Sequence, residues 1–182
     1  MRSSGADAVI LAIGSSPVVP PITGIEHAMQ ATDVYDAIGK VGQKVVVVGG
    51  GLVGCEVGLH LAKNGRDVTV IEMLDEVARD AYRMHRIGLV DEMARMLTCR
   101  TGLTCVAVTP HGVTAVSKEN GEEFLPADTV IYALGRAANR EEAEKLRTAA
   151  GDVPVCEIGD CVCAAKVYDA VRQAFVAAMS IL

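Results

Sequence analysis

Lys44-Val45-Val46-Val47-Val48-Gly49-Gly50-Gly51-Leu52-Val53-Gly54 runs on through Val57 and Leu61 to Asn64-Gly65, Arg66-Asp67, an apolar stretch at 68–71 and Glu72. The opening valine run is the pattern of a strand buried on both faces of a parallel sheet. Three glycines end it, and the stripe Val53, Val57, Leu61 predicts a helix. Asn64-Gly65 stops that helix, Arg66-Asp67 turns the chain, and residues 68–71 predict a second strand. Lys44 to Glu72 therefore reads as a βαβ unit.

The glycines stand as Gly49-x-Gly51-x-x-Gly54, with Gly50, Leu52 and Val53 between them. In such a motif the first glycine permits a tight turn and the second lets the backbone approach a pyrophosphate. The third lets helix and strand pack closely, while the helix N-terminus faces the anion. Glu72, ending the next strand, is placed to accept hydrogen bonds from ribose hydroxyls. This order of elements predicts a nucleotide cradle, against the alternative of a glycine turn in an α/β fold that binds nothing. A carboxylate at Glu72 repels a 2′-phosphate, and no arginine follows before Arg79. NAD(H) is thus favoured over NADP(H), the alternative being that Arg79 swings in.

Working outward, Ala6-Asp7-Ala8-Val9-Ile10-Leu11-Ala12-Ile13-Gly14 recurs as Ala127-Asp128-Thr129-Val130-Ile131-Tyr132-Ala133-Leu134-Gly135, with six of nine positions identical. Each copy has a polar start, an apolar run and a terminal Ala-x-Gly, as in a buried parallel strand that ends beside a ligand or another backbone. Residues 1–16 accordingly read as strand-forming rather than as a signal peptide. Residues 84–97 predict a helix. The stretch 104–125, with turns at Pro110-His111-Gly112 and Glu119-Asn120-Gly121, predicts a three-stranded antiparallel meander. Residues 128–133 return to the parallel sheet. Residues 153–158 predict a strand, Gly159-Asp160 a sharp turn, and 167–181 a closing helix with apolar residues at Val167, Val171 and Phe175.

The second copy of the repeat closes a segment that the glycine motif opens; a matching motif for the first copy would fall ahead of Met1. The expectation is a piece of a longer protein. The fold class is α/β: a Rossmann-like parallel sheet with helices and a three-stranded meander at 41–136, flanked by parts of a second domain at 1–40 and 137–182.

Composition excludes other classes. Of 182 residues 51% are hydrophobic and 22% charged, which suits a packed core and not disorder. A formal charge of −6, no Lys/Arg cluster and 3% aromatics argue against nucleic-acid or anionic-membrane partners. The apolar stretches fall far short of the ~20 residues that span a bilayer. With six cysteines but no secretion signal, reduced thiols and a cytoplasmic location are expected. Cys161 and Cys163 are too close for a redox or zinc pair, no metal site is predicted, and Cys55, Cys99, Cys105 and Cys156 read as small buried hydrophobes.

The sequence Ala12-x-Gly14, Gly49-x-Gly51-x-x-Gly54, Glu72, Ala133-x-Gly135 and Ile158-Gly159-Asp160-Cys161 resembles the two-dinucleotide-binding-domain flavoproteins, the pyridine nucleotide-disulfide oxidoreductase superfamily. Residues 125–131, Gly135-Arg136-Ala137-Ala138-Asn139 and the Gly159-Asp160 turn are most similar to the C-terminal part of NADH:flavin oxidoreductases of the enoate reductase and 2,4-dienoyl-CoA reductase type. That resemblance implies a missing N-terminal (β/α)8 barrel with FMN and a 4Fe–4S cluster, and an electron path from NADH through FAD, cluster and FMN to an activated alkene. It implies that Gly49, Gly51, Gly54 and Glu72 bind NAD(H), with Ala133 and Gly135 lining the cleft. Ala12, Gly14, Gly159 and Asp160 would touch FAD, Asp160 through a ribityl hydroxyl. Glu72 points to the NADH-using branch, whereas dienoyl-CoA reductases of this type typically use NADPH. The fragment by itself is expected to be inactive, needing the barrel and the FAD half-domain of the same polypeptide. A non-catalytic ADP- or NAD-holding module is the alternative function; a homo-oligomer is possible, but dimers formed through apolar surface left by the incomplete half-domain would be artefacts.

Overall fold

The computed structural model describes residues 5–181. Two short strands come first, β1 (Val9–Leu11) and β2 (Ser15–Pro17). Then follow β3 (Met29–Gln30), β4 (Lys44–Val48), α1 (Leu52–Lys63), β5 (Asp67–Ile71), α2 (Arg83–Met96) and β6 (Thr98–Arg100). The strands β7 (Leu103–Thr109), β8 (Gly112–Ser117), β9 (Gly121–Pro126) and β10 (Thr129–Tyr132) complete the middle of the chain. Last come β11 (Arg136–Ala138), α3 (Arg140–Ala150), β12 (Val155–Glu157) and α4 (Val167–Ile181).

The chain divides into two compact units, Val19–Leu134 and the pair of flanking segments up to Val18 and from Gly135. In Val19–Leu134 a five-stranded parallel sheet has the order β3-β10-β4-β5-β6. Val45 to Val48 are all buried, as the unbroken run requires of a strand covered on both faces. Val45 and Val47 pack with Val57, Leu61 and Met93 of the helices. Val46 and Val48 pack with Cys105, Val113 and Ala115 of the meander, so successive residues of one strand feed two cores. Burying each such side chain stabilises by about 1.5–3 kcal/mol. The meander β7-β8-β9 is antiparallel, as its two turn signals predict.

In the other unit β1 pairs with β12 in parallel, Val9 opposite Val155, and β2 pairs with β11 antiparallel. The strand expected over 1–16 is shorter here: it covers Val9–Leu11, β2 follows after a break, and its first four residues lie outside the described ones. Leu11 and Cys161 are buried together, the Cys161 thiol donating to the Leu11 carbonyl at 3.3 Å.

Two apolar stripes differ in burial, and one expectation, that Cys99 and Cys156 are buried, needs correction. Val53 is 48% exposed while Val57 and Leu61 are buried: positions four apart on a helix drift by about 40°, so Val53 lies off the face that Gly54, Cys55, Val57 and Leu61 bury. Val167, Val171 and Phe175 are likewise exposed; of α4 only Ala177 is buried. Cys99 is exposed, since β6 is the edge strand of the sheet, and Cys156 is half-buried; Cys55 and Cys105 are buried as expected. All six thiols are free. No described helix is long and apolar enough to cross a membrane.

Candidate functional site

At the end of β4 the backbone turns at Gly49, whose φ of 104° is open to glycine and strained for other residues. A Cβ there would lie 2.5 Å from the Ala133 carbonyl oxygen. A Cβ on Gly54 would lie 1.9 Å from the Gly49 oxygen and 3.2 Å from the Ala133 Cβ. Gly49, Gly54 and Ala133 thus form one close knot where β4, α1 and the end of β10 meet, and the Ala133 N–H is held by the Val48 carbonyl at 2.8 Å. Gly50 is pressed against Glu72 and Val77. Gly51 differs: the nearest atom to its Cβ position is an Asp80 carboxylate oxygen at 3.6 Å, so this glycine faces open space. Two of the three motif glycines therefore have no room for a side chain, and the third does.

Glu72 is 9% exposed, with each carboxylate oxygen held by one backbone amide. One carboxylate oxygen accepts the Gly50 N–H at 2.7 Å and the other the Leu74 N–H at 2.9 Å. Below the loop, the Cys55 thiol donates to the Gly50 carbonyl at 3.2 Å. Burial first, then Cys99, Asp80 and Glu72, push its pKa up to about 12, so it stays a thiol. Arg79 is exposed and ion-paired with Asp75 at 3.5 Å.

Beside the end of β5 lies a cavity of about 870 Å³ lined by Met73, Leu74, Arg100, Gly102, Leu103 and Lys118, among others. On its margin Arg100 and Glu123 form a bidentate pair at 2.7 and 2.8 Å, which holds the Glu123 carboxyl below its ordinary range. Gly49 to Gly54, Glu72 and Ala133 are thus brought together around the carboxyl ends of the parallel strands, where α/β sheets take ligands.

The remaining predicted residues fall in the other unit. Gly135, with φ of 96°, accepts the Val18 N–H at 3.1 Å. Ala12, Gly14, Gly159 and Asp160 line a cavity of about 520 Å³ with Ser15, Arg136 and Ala170. Asp160 accepts the Ser15 hydroxyl at 3.0 Å and the Ala165 N–H at 3.1 Å. Gly159, with φ of 70°, donates its N–H to Gln173 of α4 at 2.6 Å. Ser15 and Arg136 were not anticipated; Arg136 Nε meets the Ser15 hydroxyl at 2.8 Å across the β2–β11 pair. Only that pairing, which no local pattern announces, could have found them. Among the described residues no group of three His, Cys, Asp or Glu could hold a metal ion.

The profile described as pyridine nucleotide-disulphide oxidoreductase matches residues 2–174. NADH oxidase of Thermoanaerobacter brockii is 39% identical over 184 residues, covering 96% of this chain and 28% of the relative. Cinnamate reductase of Clostridium sporogenes is 31% identical over 187 residues, covering 100% of this chain and 27% of the relative. Among solved structures, a 2-naphthoyl-CoA reductase complex superposes with a TM-score of 0.82 at 26% identity, over 93% of this chain and 26% of the other. The chain thus spans little more than a quarter of the length of these relatives.

Proposed function

This chain belongs to the pyridine nucleotide-disulphide oxidoreductase family, and we propose that residues 41–136, within the unit Val19–Leu134, form its NAD(H)-binding domain, part of an NADH-dependent flavin oxidoreductase. The observation that carries the reading is the division of labour among the glycines. Gly49 and Gly54 have no room for a side chain, while Gly51 is open on the face where α1 begins. A pyrophosphate over Gly51 would meet the positive end of the α1 dipole. The adenosine ribose would lie at Glu72, whose lone pairs not used by Gly50 and Leu74 can accept its hydroxyls, with the 870 Å³ cavity beyond for the adenine. The acid there favours NADH over NADPH, because a 2′-phosphate would face a buried carboxylate.

In the second unit, Gly14, Gly159 and Asp160 would hold FAD in the cavity they line, with Ser15 and Ala165 fixing the Asp160 carboxylate beforehand. When bound, a nicotinamide cofactor would supply a hydride donor and FAD a hydride acceptor. The chain's own residues bind, orient and pre-organise. The exposed row Val167, Val171, Phe175 supports a cover by further polypeptide, as do relatives more than three times as long. An FMN barrel with a 4Fe–4S cluster and an activated alkene as final acceptor complete the proposal.

The test is stopped-flow reduction of the flavin in the full-length protein by NADH and by NADPH. Rapid bleaching with NADH, and slower with NADPH, is expected. No bleaching together with tight adenine-nucleotide binding would instead make this a module that holds ADP or NAD without reacting.

A further inference from the structure

We propose that Arg136 is a positioning residue of the FAD site, which acts through the Ser15 hydroxyl to hold the Asp160 carboxylate ready for a ribityl hydroxyl. The inference rests on the reading of Gly14, Gly159 and Asp160 as that site. Ser15, Arg136 and Asp160 all line the cavity of about 520 Å³. Arg136 Nε donates to the Ser15 hydroxyl oxygen at 2.8 Å, and that hydroxyl donates to Asp160 Oδ2 at 3.0 Å. A guanidinium only donates, and a serine hydroxyl has a single proton. With Arg136 on the acceptor side of Ser15, that proton is directed to Asp160. The other carboxylate oxygen, Oδ1, accepts the Ala165 N–H at 3.1 Å. A carboxylate offers about four lone-pair sites, so these two bonds fix Asp160 and leave it able to accept from a ligand.

The backbone beside Ser15 is braced by other contacts. β2 pairs with β11 from Ser15 opposite Ala138 to Pro17 opposite Arg136. Asn139 Nδ2 donates to the Ile13 carbonyl at 3.0 Å, and its Oδ1 accepts the Ser16 hydroxyl at 2.7 Å. Arg136 Nη2 adds a bond to the Ser15 carbonyl. Together these hold the turn at Gly14, whose φ is 73°. The bond from Arg136 Nε to the Ser15 hydroxyl is of another kind: it takes no hold on the backbone and sets the direction of a proton. The segment Gly135-Arg136-Ala137-Ala138-Asn139 thereby has two tasks, Asn139 holding the turn and Arg136 orienting the acceptor.

FAD binding to the flavin-free full-length protein, followed by quenching of flavin fluorescence, tests the relay in a double-mutant cycle of Arg136→Met and Ser15→Ala. Each single variant is expected to hold FAD about tenfold more weakly, because the chain of bonds ends on a charged acceptor. The double variant is expected to be no weaker than either alone, since both changes break one chain. Ser15→Ala keeps the carbonyl that Arg136 also holds, so it removes the hydroxyl and spares the brace. Ser15→Thr keeps the hydroxyl and should bind FAD close to wild type. Losses that add in the double variant overturn the relay and leave Arg136 a brace. Unchanged binding in folded Ser15→Ala overturns it as well, whether or not Arg136→Met folds. Asp160→Ala separates the site from the relay: if this variant binds FAD as tightly as wild type, the reading of the FAD site falls and the relay with it.

Discussion

The Glu72 carboxylate accepts the Gly50 N–H at 2.7 Å, tying the end of β5 to the glycine loop across the sheet. The acid that sequence reasoning assigns to a ribose is therefore also a strut of the loop. Glu72→Ala leaves the buried Gly50 N–H without that partner, a loss of about 1–3 kcal/mol. A thermal midpoint lower by several degrees is expected together with about tenfold weaker NADH binding, since hydrogen bonds to a charged acceptor contribute roughly 1.5–3 kcal/mol. Glu72→Gln keeps an oxygen for Gly50 and should lose less stability than affinity. Thermal melts and calorimetric titration of the same preparations check both; unchanged NADH affinity in Glu72→Ala would remove the ribose role.

Gly51 and Gly54 should respond in opposite ways to the same methyl group. Gly54→Ala would drive a Cβ to 1.9 Å from the Gly49 oxygen, so the loop must shift and the protein should lose several kcal/mol or fail to fold. Gly51→Ala meets nothing closer than 3.6 Å and should melt close to wild type while binding NADH at least tenfold more weakly. Equal losses of stability in the two would contradict the assignment of packing to one glycine and approach to the other.

Alkaline pH should loosen the fold through Cys55. Its pKa is about 12 in the folded chain against an ordinary thiol value of 9.0, so above 9 the unfolded chain has lost a proton that the folded one retains. Stability thus falls as pH rises from about 9 towards 12. Cys55→Ala removes this contribution, and its denaturation midpoint should decline less steeply over that window. Cys99 and Cys105, also shifted upward by burial, leave part of the slope in place.

Thiol labelling distinguishes the surface cysteines from the interior ones. Cys163 is exposed and should react with a small maleimide within minutes in native buffer, Cys99, exposed but with its thiol shifted upward by burial, more slowly, and Cys55, Cys105 and Cys161 only on unfolding. Mass-mapped labelling of all six sites reads this directly, and fast labelling of Cys55 would mean that the space under the glycine loop is open.

Much of this molecule was legible from residues alone. The valine run, the helix stop at Asn64-Gly65 and the two meander turns are strong local signals, and each element appears within a residue or two of its expected place. The site residues Gly49–Gly54 and Glu72 carry a motif whose order implies their geometry. What could not be read is decided by distant chain. Asp80 reaches Leu52 only because Ala78 is hydrogen-bonded to Gly50, and no periodicity marks either residue. The apolar periodicity of α4 predicted a helix correctly and left its burial open, because periodicity reports which residues share a face and not what lies against that face. Cys99 was misplaced for the same reason: a strand's position in the sheet, here the edge, is not written in the strand.

The place of β10 between β3 and β4 has a consequence for biosynthesis. On the ribosome, β4, β5 and β6 emerge in order and can pair as they come. The inner edge of β4, four valines long, must wait until the whole meander and Tyr132 have been made. Through that interval the nascent chain carries an unpaired apolar strand edge, the kind of surface that invites pairing with a neighbouring polypeptide. Translation stalled within the meander would therefore leave a species prone to aggregate, which holdase chaperones should recognise, and release of residue 132 is the event that ends the exposure.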